Sequence, residues 1–255
     1  MRAMIFAAGL GTRLKPLTDT IPKALVPLAG KTLLQWQIEK LKAAGITDIV
    51  VNVHHFPDMI IHYLQEHDNF GCRIIISDER DMLLETGGGL RYAREAMRQF
   101  GHEAMNEPIL ACNADILSNI DIPTLLQAYN PQETGVVVVS ERETQRYLLF
   151  NEENRLIGWT NVATGEVKGT EAIKRKDDPA VKRLAFSGMQ VLCPRIFDLL
   201  DDLAAIKGPK FSLIDLYVHL ADKEILRAFI PENYRMMDVG KINQLSEAES
   251  FAANQ

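Results

Sequence analysis

The feature that most constrains the fold of this chain is an alternation. From Ala3 to Asp115, short apolar runs of strand length take turns with segments whose apolar residues recur at helical spacing. Ala3 to Ala8, Asp48 to Val53, Arg73 to Ser77 and Pro108 to Cys112 read as strands buried on both faces, the condition of parallel strands covered by helices. Thr32 to Ala44 places Leu33, Leu34, Ile38 and Leu41 near helical spacing and stops at Gly45, and Met59 to Leu64 and Gly88 to Phe100 read as further helices. The order predicts the α/β class, with a Rossmann-like, mixed but mainly parallel central sheet flanked by helices.

From Gly135 the pattern changes. Val136 to Ser140, Tyr147 to Phe150 and Leu156 to Trp159 read as strands joined by turns, which predicts antiparallel pieces. Asn161 to Arg183 is polar and Lys-rich without a clear period, and reads as a flexible loop or a protruding hairpin. Ala185 to Leu192, Ile225 to Ile230 and Arg235 to Val239 read as strands, and Ile196 to Leu203, Ser212 to Ala221 and Ile242 to Phe251 as helices. At 255 residues and 47% hydrophobic content, with no internal repeat, a single domain over 1–255 is expected. The change of pattern divides it into halves of about 1–130 and about 131–255.

The formal charge of -6, with both signs interspersed, offers no basic stripe for a nucleic-acid backbone. Cys72, Cys112 and Cys193 have no paired spacing and read as reduced core thiols. The start has no signal-peptide layout, and no apolar run approaches the roughly 18 residues of a membrane span. The expected address is the cytoplasm, and the expected state a monomer or small homo-oligomer.

Ala7-Ala8-Gly9-Leu10-Gly11-Thr12-Arg13-Leu14 puts two glycines directly after the first strand, at the sheet edge where α/β folds bind ligands. Leu14 stands where a dinucleotide fingerprint needs glycine, and no glycine-Lys-Ser/Thr follows to make a P-loop. Arg13, Lys15 and Lys23 lie in a loop stiffened by Pro16, Pro22 and Pro27, so cations stand beside backbone N–H groups, an arrangement suited to a triphosphate. Asp115 and Asp238 each end an apolar strand, and magnesium takes one or two carboxylates together with waters and substrate phosphates. His54 and His55 lack any zinc spacing and read as loop residues, and no G-x-S-x-G elbow appears.

Gly9 to Thr18 followed by Pro22-Lys23-Ala24-Leu25-Val26-Pro27 resembles the signature of the sugar-1-phosphate nucleotidylyltransferases, and the likeness spans nearly the whole chain. It implies the nucleotide-diphospho-sugar transferase fold, related to GT-A, with a nucleotide-binding half of about 1–130 and a sugar-binding half of about 131–255. It further implies that Ala7, Ala8, Gly9, Gly11 and Thr12 hold a nucleoside triphosphate, that Arg13 contacts its outer phosphates, and that Lys23 contacts the phosphates at the reaction centre. Asn113-Ala114-Asp115 resembles the family's N-G-D or D-G-D element and Asp238-Val239-Gly240 its D-V-G element, which makes Asp115 and Asp238 the Mg2+ ligands. Ala114 replaces the usual glycine, and alanine fits there only with a negative φ. Met237 also departs from the residues often found before the second Asp.

Glu85-Thr86-Gly87-Gly88-Gly89 resembles the base-reading turn of the N-acetylmuramate-1-phosphate uridylyltransferase branch, close to the mannose-1-phosphate guanylyltransferases; Thr86, Gly87 and Gly88 then meet the base. Phe186-Ser187-Gly188 resembles the family's F-x-G strand and, with Asn113, implies the sugar side. The family's E-K-P element is absent, and Arg142, Arg146, Lys174 and Lys182 remain unranked as contacts for the sugar phosphate. The resemblance implies uridylyl transfer to a hexose-1-phosphate such as N-acetylmuramate-1-phosphate in a stand-alone transferase domain. Guanylyl transfer to mannose-1-phosphate, thymidylyl transfer to glucose-1-phosphate and cytidylyl transfer to phosphocholine are the neighbouring readings, and a nucleotide-sugar sensor is the non-enzyme one.

Overall fold

The computed structural model describes residues 1–253; residues 254 and 255 of the expected single unit lie outside the described residues. The first half runs β1 (Arg2–Phe6), a two-strand ribbon β2 (Pro27–Leu28) and β3 (Lys31–Thr32), α1 (Leu33–Ala43), β4 (Asp48–Val53), α2 (Pro57–Glu66), β5 (Arg73–Asp78), α3 (Glu85–Tyr92), α4 (Arg94–Arg98), β6 (Ile109–Asn113), β7 (Ile116–Ser118) and α5 (Ile122–Gln127). The second half continues with β8 (Gly135–Ser140), β9 (Arg146–Phe150), β10 (Leu156–Asn161), β11 (Glu166–Lys168), α6 (Thr170–Lys174), β12 (Lys182–Leu192), α7 (Ile196–Lys207), α8 (Leu213–Leu220), β13 (Leu226–Phe229), β14 (Met236–Asp238) and α9 (Leu245–Ala252).

β1 lies between β4 and β6, parallel to both, and β4 pairs in parallel with β5. Its side chains alternate into two cores, Met4 on one face and Ala3 and Ile5 on the other, which is why the run is apolar throughout. The long β12 joins this parallel block to the rest, running antiparallel to β6, β8 and β9, with β10 and β11 beyond β9. β13 adds a parallel strand beside β8. The α/β class and the mixed central sheet flanked by helices agree with the sequence reading. Phe6 faces Asn52 on one side and Asn113 on the other, so β1, β4 and β6 end level and deliver their loops to one edge. No helix among the described residues is long and apolar enough to cross a membrane.

Local chemistry sets the helix starts. The Thr32 side chain accepts a hydrogen bond from Gln35 N–H ahead of α1, and Ser212 and Asp215 form a reciprocal capping box ahead of α8.

The helix expected from Gly88 to Phe100 begins at Glu85 and divides at Ala93 into α3 and α4, with Gly87, Gly88 and Gly89 buried in its first turns. Residues 161–183 form an ordered hairpin with Trp159 opposite Lys168, followed by α6, and Ala172, Ile157 and Leu149 make a small core beneath it. Arg175 ties the end of this stretch to Glu152, Glu171 and Asp178. The short β7 and α5 were not anticipated; α5 starts where the Asp121 side chain accepts from Thr124 N–H.

Candidate active site

The level strand ends open onto a cleft of about 360 Å3 lined by residues from all three loops, among them Ala7, Ala8, Gly9, Lys23, Asn52, Thr86, Asn113 and Asp115. Thr12–Leu14 is one turn of 3-10 helix anchored by the fully buried Leu14. Thr18 Oγ1 donates to Gly11 O at 2.8 Å and closes the loop on itself.

The three loop cations separate. Lys15 lies on the surface, paired with Asp19 at 2.9 Å. Lys23 is only 9% exposed and forms an ion pair with Asp115 Oδ2. Arg13 lies near Asp238 without pairing with it: a Cβ added at Gly240 would stand 2.9 Å from Arg13 Nη2 and 2.8 Å from Asp238 Oδ1. Glycine at 240 leaves open the space between the two side chains.

The two aspartates, 123 positions apart in sequence, are brought together by β14, which pairs antiparallel with β7 so that Asp238 faces Ile116. Val239 N–H also donates to Asp115 O at 2.9 Å. Asp238 Oδ1 is buried and has no hydrogen-bond partner among the described residues. Burial, and then the charge of Asp115, push the Asp238 carboxyl above the usual Asp value, while Lys23, Arg13 and Arg142 oppose the rise. A buried carboxylate oxygen without a donor, beside a second carboxylate, fits a divalent cation. No group of three or more His, Cys, Asp or Glu side chains suited to a metal occurs among the described residues, so a hard ion completed by substrate oxygens suits the pair better than zinc. Ala114 is not among the positive-φ residues, and its N–H donates to Phe6 O at 3.1 Å, so alanine meets the condition set by the sequence.

At the turn expected to read the base, Glu85 and Thr86 line the cleft, but Gly87 and Gly88 do not. Their N–H groups donate to Phe211 O at 2.9 and 3.0 Å, and Thr86 Oγ1 accepts from Leu213 N–H at 2.9 Å. These glycines let α3 approach the 209–212 loop, since a Cβ at Gly88 would lie 2.2 Å from Pro209 O. Gly88→Ala is therefore expected to destabilise the protein by about 1–3 kcal/mol through overpacking, and a urea titration of the purified variant reads this directly.

Sequence reading missed two supports of this wall. Asn52 Oδ1 accepts from Ala7 N–H at 2.8 Å, and Asn52 Nδ2 donates to Glu79 Oε1 at 2.7 Å. Glu79 is nearly buried, and desolvation raises its carboxyl above the ordinary Glu value. An amide inside the apolar run Ile49-Val50-Val51-Asn52-Val53 was the available signal.

Phe186, Ser187 and Gly188, expected on the sugar side, do not line the cleft; here β12 bulges against β8 between Phe186 and Gln190. Gly188 sits in this bulge at φ 72°, and a Cβ there would meet Ile116 Cδ1 at 2.3 Å and Asn113 Nδ2 at 3.1 Å. Phe186 packs edge-on against Tyr217, with ring centroids 6.5 Å apart. His54 and His55 bond to the carbonyls of Glu79 and Thr18 at 2.7 and 3.3 Å, as loop residues would.

A glycine loop, paired carboxylates and two cations at the edge of a mixed α/β sheet define a phosphate-handling protein of the nucleotide-binding kind. The chain belongs to the nucleotidyl transferase family, whose model matches residues 2–255, and it is a nucleotidyltransferase enzyme. It is 30% identical over 242 residues to the N-acetylmuramate alpha-1-phosphate uridylyltransferase of Caulobacter vibrioides, covering 92% of this chain and 90% of that protein. It is 29% identical over 247 residues to the mannose-1-phosphate guanyltransferase of Yarrowia lipolytica, covering 94% of this chain but 61% of that longer protein. Among solved structures, a putative glucose-1-phosphate thymidylyltransferase from Bacillus anthracis superposes with a TM-score of 0.80 at 18% identity over all of this chain and 96% of that one, a likeness of fold.

Proposed function

We propose that this enzyme transfers a nucleoside monophosphate from a nucleoside triphosphate to a sugar-1-phosphate, with release of pyrophosphate. The observation that carries the reading is the cluster Arg13, Lys23, Asp115 and Asp238 beside the glycine loop, in which Lys23 pairs with Asp115 and Arg13 and Asp238 both border Gly240. Family membership supports it.

A phosphate monoester has a second pKa of about 6, so the attacking oxygen is already ionised near neutral pH and no general base is needed. The chain's task is to hold two anions in line and to neutralise the charge between them. The glycine-loop segment from Gly9 to Thr12 receives the triphosphate, Arg13 takes its outer oxygens, and Lys23 stands at the reacting phosphorus. Asp115 and Asp238 would hold Mg2+, which when bound supplies charge neutralisation for the bridging oxygens. Asn52, through Ala7 N–H, fixes the loop against the cleft wall, and the Phe186–Gly188 bulge closes the acceptor side.

Uracil is the preferred base and a hexose-1-phosphate such as N-acetylmuramate-1-phosphate the preferred acceptor, supported by the E-T-G-G-G segment and by the Caulobacter relative. Guanylyl transfer to mannose-1-phosphate is the second reading, supported by the Yarrowia relative. Pyrophosphate release, measured for each nucleoside triphosphate against N-acetylmuramate-1-phosphate, N-acetylglucosamine-1-phosphate, mannose-1-phosphate and glucose-1-phosphate, tests both. The expected result is magnesium-dependent release that is highest with UTP and N-acetylmuramate-1-phosphate. Preference for GTP with mannose-1-phosphate selects the second reading, and release without any acceptor contradicts both.

A further inference from the structure

The acceptor's phosphate needs a cation, and the chain lacks the Lys-bearing element that the sequence signature leads one to expect. Four basic residues were open, and the structure separates them. Lys182 Nζ is engaged by Asn154 Oδ1 at 2.7 Å. Lys174 closes the short α6, and its charge acts on Asp222. Arg146 opens β9 and lines a different groove, with Trp159 and Asn161.

Arg142 is placed otherwise. It follows β8 by two residues, and Ser140 pairs with Ala185 of β12, so the chain leaves the sheet beside Phe186. Arg142 Nη2 donates to Phe186 O at 3.1 Å, the one hydrogen bond of its guanidinium among the described residues. It forms no ion pair there either. It also lines a depression of about 520 Å3 with Glu141, Glu247, Tyr234, Met236 and Met237, and Tyr234 to Met237 lead into Asp238. Two residues past Phe186, the bulge at Gly188 abuts Asn113 and Ile116, which flank Asp115. Arg142 is thus tied to the strand that carries the bulge, beside the segment that ends in Asp238, and most of its donors are unengaged among the described residues.

We infer that Arg142 is the residue that grips the phosphate of the sugar-1-phosphate, anchored through Phe186 O and presenting its remaining N–H donors to the phosphate oxygens. A planar guanidinium can bind two phosphate oxygens at once while a further N–H holds the carbonyl behind it. The bond to Phe186 also fixes the distance between the phosphate and the sugar-side bulge, so one residue couples anion binding to sugar placement. This inference rests on the proposed transfer to a sugar-1-phosphate and assigns its acceptor subsite.

The test uses the full chain with Arg142→Met, Arg142→Lys and Arg146→Met, with KM measured separately for triphosphate and acceptor. Calorimetric titration with N-acetylmuramate-1-phosphate and N-acetylglucosamine-1-phosphate gives binding independently of turnover. Arg142→Met is expected to weaken both acceptors by about 10- to 100-fold, the range of a lost charge-assisted hydrogen bond. The triphosphate KM and the melting temperature should hold, Arg142→Lys should recover part of the loss, and Arg146→Met should bind both acceptors normally. Unchanged acceptor affinity in Arg142→Met, or a loss appearing in Arg146→Met instead, overturns the inference. So does a loss confined to the muramate, which would place Arg142 on its carboxylate, or a parallel loss of triphosphate affinity. A wild-type protein that binds the sugar phosphates through Arg142 without transferring to them keeps the inference and removes the proposed reaction; one that binds none removes both.

Discussion

Asp238→Asn is expected to lower magnesium-dependent kcat/KM on the order of 10^3-fold, while the variant melts no lower than the unsubstituted chain. Loss of activity follows from the proposed metal role. Retained stability follows from the surroundings: Asp238 Oδ1 has no hydrogen-bond partner to lose, and its carboxyl is raised by burial and by Asp115. A carboxyl raised in the folded state contributes its stability at low pH, below its unfolded value, and that contribution is lost as pH rises through the folded value. Near neutral pH without magnesium the ionised group is a burden, and the amide removes it. The melting temperature of Asp238→Asn relative to wild type should therefore increase from acid to neutral pH, and added magnesium should raise the wild-type value alone. Thermal scans across pH, with and without MgCl2, measure all three effects. Activity within tenfold of wild type would remove Asp238 from the proposed pair. Asp115→Asn differs, because it strands the nearly buried Lys23 ammonium without its carboxylate, and it should lose stability as well as activity.

Lys23→Met is the second large effect, with a fall of about 10^2- to 10^3-fold in the single-turnover rate. Lys23 sits in a 3-10 turn directly after Pro22, 9% exposed, with its ammonium on Asp115. A charge held in so dry a place acts strongly on a phosphorus within reach and needs no reorganisation as negative charge moves onto the leaving group. Methionine keeps much of the stem's packing, so the variant should fold. Lys23→Arg should recover little, since a guanidinium is larger than the space around a nearly buried lysine. Triphosphate binding, carried mainly by the glycine loop and Arg13 in the proposed site, should weaken less than the rate. A rate within threefold of wild type in Lys23→Met would place the reacting phosphorus elsewhere.

The sequence made the parallel block legible because its central strands are buried on both faces. The uninterrupted run Ile49-Val50-Val51 sends Val50 into one core and Ile49 and Val51 into the other. Motifs alone could pair Asp115 with Asp238. Hydrophobic patterning could not, because their meeting depends on β14 pairing with the three-residue β7, too short to carry a period. The glycines of α3 misled for a physical reason. Glycine signals close approach without saying what approaches, and here Pro209 O and Phe211 O occupy the space expected for a base at Gly87 and Gly88. The 161–183 stretch had too few apolar residues to choose between a loop and the hairpin it forms, and α6 within it is held by Ala172 and by the charges around Arg175. Arg142 was visible only as one of several cations, because its placement comes from the β8–β12 register.

The most direct test of the proposed transfer follows phosphorus. The enzyme is incubated with magnesium, a sugar-1-phosphate and UTP labelled with 32P at either the α or the γ position, and the products are separated. Nucleotidyl transfer places the α label in the sugar nucleotide and the γ label in pyrophosphate. A γ label found in the sugar product or released as inorganic phosphate would make the protein a kinase or a phosphatase and contradict attack at the α-phosphorus.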